Sequence, residues 1–135
     1  MKGKEEGLMQ KIVVDIQNFL FADSIAAAFR NSDYDIDVVR AETPNDTVEL
    51  CQMYKPFVLV MEVTGYTPWL LCDRLRLRDE VKSVCPDCKI ALLVDSNTEK
   101  QAAKDIRDAK KNGIIDHFFY GSMTSEYLMD QIYAM

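Results

Sequence analysis

From residue 10 onward, short apolar runs alternate with amphipathic stretches five times over. This alternation limits the possible folds more than any other feature of the chain. Lys11-Ile12-Val13-Val14 reads as a first strand, and Phe19 to Arg30 follows with Phe21, Ile25, Ala28 and Phe29 at helical spacing. Ile36 and Val38 flank Asp37, the alternation of a half-exposed edge strand. Thr43-Pro44-Asn45-Asp46 predicts a helix start: a capping hydroxyl, a proline suited to the first helical position and an acid three residues on. That helix runs through Leu50, Cys51 and Tyr54 and stops before Pro56. Phe57 to Val63 is apolar except for Glu62, as a strand buried on both faces would be.

Thr67-Pro68 predicts the next helix start by the same logic. Its helix extends to about Val84 with Leu70, Leu77, Val81 and Val84 on one face. Lys89 to Val94 is a fourth strand, and Ser96-Asn97-Thr98-Glu99 matches a capping box. The following helix carries Ala102, Ala103, Ile106 and Ala109 and ends at Lys110-Lys111-Asn112-Gly113. Ile114 to Tyr120 is a fifth strand, and a last helix starts near Ser122. Strand–helix alternation with short connections implies parallel strands and right-handed crossovers. The expected architecture is a doubly wound α/β sandwich, (βα)5, with the strands ordered 2-1-3-4-5. Its site lies at the carboxyl ends of the first, third, fourth and fifth strands.

Residues 10–135 are enough for one domain, and residues 1–9 read as a solvated tail. The formal charge of −6 opposes binding to nucleic acid or to anionic lipid. No stretch approaches the ~18–20 apolar residues of a membrane span, and the first residues lack the apolar segment of a secretory signal. A cytoplasmic location is expected, with the four cysteines reduced. His117 is the sole histidine, so no mechanism needing two imidazoles is available.

Several phrases resemble the receiver domains of bacterial response regulators. Lys11-Ile12-Val13-Val14 leading to Phe19-Leu20-Phe21-Ala22-Asp23-Ser24-Ile25 is similar to a receiver's first strand and helix. Lys55-Pro56-Phe57-Val58-Leu59-Val60-Met61-Glu62 is similar to the approach to the phosphorylated aspartate, and Asn112-Gly113-Ile114-Ile115-Asp116-His117-Phe118 to the turn into the fifth strand. The resemblance implies a flavodoxin-like fold and a role in two-component signal transduction. It also implies a site in which this chain departs from the family. Ile16 and Gln17 stand where a receiver has its Mg²⁺-holding acids. Glu62 stands at the phosphoacceptor, Val94 at the hydroxyl position, Tyr120 at the lysine and His117 at the switch aromatic. Shifting the first strand by one residue would instead make Asp15 the first acid and exchange the strand's faces.

Phosphoryl transfer to a carboxylate needs Mg²⁺ and hard oxygen ligands. Ile16 offers none, Gln17 only a neutral carbonyl, and Tyr120 no cation. The expectation is therefore a pseudo-receiver: no enzyme, no cofactor, and no Mg²⁺. It would act through protein partners or self-association by the fourth and fifth helices and fifth strand, where Met123, Phe119, Tyr127 and Tyr133 lie. One alternative is a phosphorylatable regulator whose metal pocket gathers Asp15, Glu62 and Asp95. Another, from a different class, is a flavodoxin-like cofactor binder, opposed by the apolar Ile16-Gln17-Asn18-Phe19 loop and the absence of a Gly-rich phosphate loop.

Other motifs have plainer readings. Glu62 either mimics a phosphorylated aspartate or bonds to backbone in adjacent loops. Cys85-Pro86-Asp87-Cys88 reads as two ordinary cysteines in a turn, lacking a zinc site's other ligands nearby. Arg74, Arg76, Arg78 and Lys82, interspersed with acids, read as a solvated helix face.

Overall fold

The computed structural model describes residues 10–95 and 99–135. The expected tail and residues 96–98 of the expected capping box lie outside them. Five parallel strands form one sheet in the order β2-β1-β3-β4-β5. The strands are β1 (Gln10–Asp15), β2 (Ile36–Arg40), β3 (Val58–Val63), β4 (Lys89–Val94) and β5 (His117–Tyr120). The helices are α1 (Phe19–Arg30), α2 (Thr47–Tyr54), α3 (Leu71–Val84), α4 (Lys100–Lys111) and α5 (Ser125–Tyr133). This is the doubly wound, flavodoxin-like fold that the alternation predicts.

Side chains on a strand alternate between faces, so each inner strand feeds two cores. On one face Ile12, Val14, Val60 and Leu93 pack with Ile25 and Phe29 of α1 and Leu128 and Ile132 of α5. On the other, Val13, Leu59, Met61 and Leu92 pack with Cys51 of α2, Val81 of α3 and Ile106 of α4. Five of the six residues of β3 are buried, which explains its continuous apolar run.

Element starts differ from the sequence expectation by one residue at β1 and β3, at α4, which begins at Lys100 after Glu99, and in four further places. Pro44–Asp46 forms a separate 3-10 turn, and α2 begins at Thr47. Thr67-Pro68 does not open α3. Its peptide bond is cis, and the chain turns there before the helix starts at Leu71. Asp73 sets that start, its carboxylate accepting the Leu70 N–H at 3.2 Å and the Thr67 hydroxyl at 2.9 Å. β5 begins at His117 rather than Ile114; just before it the Asp116 carboxylate accepts the Ile90 N–H at 2.8 Å and the Asp116 N–H donates to the Ile90 carbonyl at 2.9 Å. α5 begins after Thr124, whose hydroxyl accepts the Tyr127 N–H, rather than at Ser122. The bounds of α1 and β4 and the end of α3 agree with the sequence reading.

Candidate functional site

The carboxyl ends of β1, β3 and β4 and the turn after β5 surround a cavity of about 270 Å³. Glu62, Val94, Asp95, Asn18, Phe21 and Gly121 line it. Glu62, half-buried on β3, accepts the backbone N–H of Gln17 through Oε1 at 2.7 Å. This is a bond to the backbone of an adjacent loop, as one of the two readings of this carboxylate expects. β1 pairs Asp15 with Met61, so Ile16 stands level with Glu62. Ile16 is buried in the α1–α5 core, while the side-chain oxygen of Gln17 accepts the Tyr66 hydroxyl at 3.2 Å. Val94 is buried, and its carbonyl accepts the Gly121 N–H at 2.9 Å. The Tyr120 hydroxyl accepts from the Arg107 guanidinium at 3.3 Å.

His117 does not join these residues. It opens β5 opposite Ala91, at the amino-terminal end of the strand, with its ring edge-on to Phe119 at 4.7 Å. Phe119 is buried in the α1–α5 core and offers nothing to a partner, contrary to its expected place on an interaction face.

Asp15 faces the other side of the sheet and is not gathered with Glu62 and Asp95. It is 2 % exposed. Arg74, fully buried, donates to its two carboxylate oxygens at 2.8 and 3.2 Å. Thr47 donates its hydroxyl at 2.7 Å. The same guanidinium reaches the backbone carbonyls of Asp15 at 3.1 Å and Glu62 at 2.7 Å. Such a fork satisfies a carboxylate bidentately and compensates its removal from water. Arg74 thereby fastens β1 to β3 directly beneath the loops that form the site.

The expected solvated stripe on α3 is thus corrected at its first member. Arg76 is well exposed, and Arg78 pairs with Asp79, but Arg74 is the largest of the fully buried side chains. Helical spacing carried the signal: residues 74, 77, 78 and 81 share a face, and Val81 is buried.

The cysteine pair lies in the turn before β4, at the end of the sheet away from Glu62. Both thiols are buried. A hydrogen bond with Cys51, then burial, pushes the Cys88 thiol far above its ordinary range. Burial, then the neighbouring Cys88, raises Cys85. Thiols so held stay protonated and unreactive. Among the described residues, no group of three His, Cys, Asp or Glu side chains is placed to hold a metal ion. Among the same residues, no helix is long and apolar enough to cross a membrane.

No protein-family model and no curated protein sequence matches the chain. Solved structures do. A response regulator from Thermotoga maritima superposes with a TM-score of 0.72 at 13% identity, covering 93% of this chain and 96% of that one. A CheY-like receiver domain protein from Methanospirillum hungatei JF-1 gives 0.70 at 11% identity, over 93% and 92%. The chemotaxis protein CheY4 of Vibrio cholerae gives 0.70 at 12%, over 93% and 98%. The fold is that of the CheY-like receiver domains of response regulators.

Proposed function

We propose that this chain is a receiver-fold signalling module that works without aspartyl phosphorylation. It is a pseudo-receiver that acts through contacts with protein partners or with a second copy. The observation that carries this reading is the bond from the Gln17 N–H to Glu62. In a phosphorylatable receiver, the loop after the first strand supplies acids to Mg²⁺. Here that loop donates a hydrogen bond to the carboxylate instead.

The reading is supported by the positions that correspond to a receiver's Mg²⁺ ligands, an ion that favours several hard oxygens in near-octahedral array. Ile16 has no donor atom, the Gln17 side-chain oxygen is engaged by Tyr66, and both oxygens of Asp15 are held by Arg74 on the opposite face. Tyr120 brings a hydroxyl rather than a cation. Its partner contacts are assigned to α4, β5 and α5, where Tyr127 is 50% exposed.

Treatment with acetyl phosphate and Mg²⁺, or with BeF₃⁻ and Mg²⁺, tests the proposal. Intact mass and the ¹H–¹⁵N spectrum should both stay unchanged. A phosphoryl adduct mapped to Glu62 or Asp95 would overturn it and favour a regulator with an atypical metal pocket.

A further inference from the structure

A second cleft opens on the other side of β1 from the Glu62 cavity. It encloses about 420 Å³, within the ~300–1,000 Å³ typical of small-molecule sites. The loops after β1, β2 and β3 build its walls. β1 and β3 are the neighbours at which the strand order reverses, the place where open α/β sheets characteristically bind ligands.

The lining sets aromatic and alicyclic side chains among polar ones. Phe19, Trp69, Pro44 and Pro68 stand around a floor that includes the buried Ile16 and Ala41. Planar rings provide large, rigid contact area at low cost in conformational entropy. The backbone of the Trp69 wall is held before any ligand arrives. The Trp69 carbonyl accepts the Thr64 N–H at 2.8 Å, and its own N–H donates to the Tyr66 carbonyl at 3.0 Å. Beneath, Arg74 and Thr47 immobilise Asp15. A preformed wall spares the ligand the cost of ordering it.

Charge narrows the class of ligand. Among the described residues, the lining holds the carboxylates of Asp15 and Glu42 and no lysine, arginine or histidine. Arg74 compensates Asp15, and Arg40 reaches Glu42 at 3.1 Å and Asp23 at 2.8 Å. Arg40 also lies over the Phe19 ring, 4.5 Å from its centroid, an aromatic–cation contact already in use at the rim. Arg40 at this rim is shared between Glu42 and Asp23, and the described lining adds no further cation for a phosphate or carboxylate. The uncharged polar groups of Gln17, Thr43 and Asn45 can bond to a ring's edge.

We propose that this cleft binds a compact planar aromatic molecule that is neutral or singly cationic, recognised by Trp69 and Phe19. The inference is independent of whether Glu62 is phosphorylated.

Trp69 is the sole tryptophan, so its indole N–H gives one assignable NMR resonance. Titration of the ¹⁵N-labelled chain with quinoline, N-methylquinolinium and naphthalene-2-sulfonate compares similar bicycles of different charge. Quinoline and N-methylquinolinium should shift the indole resonance and the Ala41 amide saturably, with the sulfonate at least tenfold weaker. Phe19→Ala, at a side chain 46% exposed, should weaken binding of the first two at least fivefold while leaving the far-UV spectrum intact. Asn45→Arg, at an exposed loop position, should move the preference toward the sulfonate. Tightest binding of the sulfonate by the unaltered chain, absence of saturable shifts, or shifts indifferent to both substitutions would overturn the proposal. The acetyl phosphate experiment is unaffected by any of these results.

Discussion

Arg74 joins α3 to both β1 and β3 through one side chain. It is fully buried and makes four hydrogen bonds, two to the Asp15 carboxylate and two to backbone carbonyls. Removing one member of a buried pair leaves the other charge uncompensated, at a cost of ~3–5 kcal/mol. Arg74→Met should therefore lower unfolding stability in urea by about that amount. Asp15→Leu combined with Arg74→Met should recover much of the loss, because an apolar pair needs no compensation. A double variant no more stable than the single one would show that the backbone bonds, rather than the ion pair, dominate. Nothing in the local charge pattern announced this role. Arg74-Leu75-Arg76-Leu77-Arg78 looks like alternating solvated charge, and only the helical face shared with Val81 separates the first arginine from the others. The partner was equally hidden, since Asp15 lies 59 residues away in sequence. Glu62 was legible as a candidate because it interrupts an apolar strand. Its bond to Gln17 was not, because loop geometry decides it.

At the level of elements, the strands and helices were readable because their periodicities are local. Apolar runs became β1, β3 and β4, and the spacing of Phe21, Ile25 and Phe29 became the inner face of α1. Helix beginnings were less legible. At α3 the expected cap, Thr67, bonds instead to Asp73, which fixes the start four residues beyond Thr67. At α5 the working cap is Thr124, two residues past the expected position. Ser122 and Thr124 are both suitable residue types, and the turn after β5 chooses between them. Thr124→Ala should cost about 1 kcal/mol. It should also raise amide exchange in the first turn of α5 while leaving α1 unchanged. Equal exchange in both helices would mean that α5 docking, rather than its cap, had been damaged.

For the whole molecule, two cores on one sheet make protonation of buried groups a matter of global stability. Cys85 and Cys88 hold their protons more tightly folded than unfolded, because of burial for the first and hydrogen bonding for the second. Tyr34 does so through its hydrogen bond to Asp130. A group whose folded value is raised contributes fully below its unfolded value and loses that contribution as pH climbs. The ordinary values are 9.0 for the thiols and 10.0 for the phenol. Melting temperature should accordingly fall as pH rises above about 9, and replacing Cys88 with Ala should flatten that decline. A decline of unchanged slope would assign it to other groups. At neutral pH, Cys72 alone is exposed and should react rapidly with an alkylating reagent, the other three only after denaturation.

The buried Asp15 has a consequence for how the chain finds its own pairing. β1 is apolar on both faces, and Ile12, Val13 and Val14 would fit either core. Hydrophobicity alone discriminates weakly between the correct alignment and one displaced by a single residue. The carboxylate removes that ambiguity. A displaced β1 would turn Asp15 toward the layer occupied by Ile25, Phe29 and Leu128, where an acid meets only hydrocarbon. The ion pair thus acts as a key in a lock, admitting one alignment of an otherwise interchangeable strand. The paired apolar variant, however stable, should lack that discrimination and show duplicated amide resonances along β1.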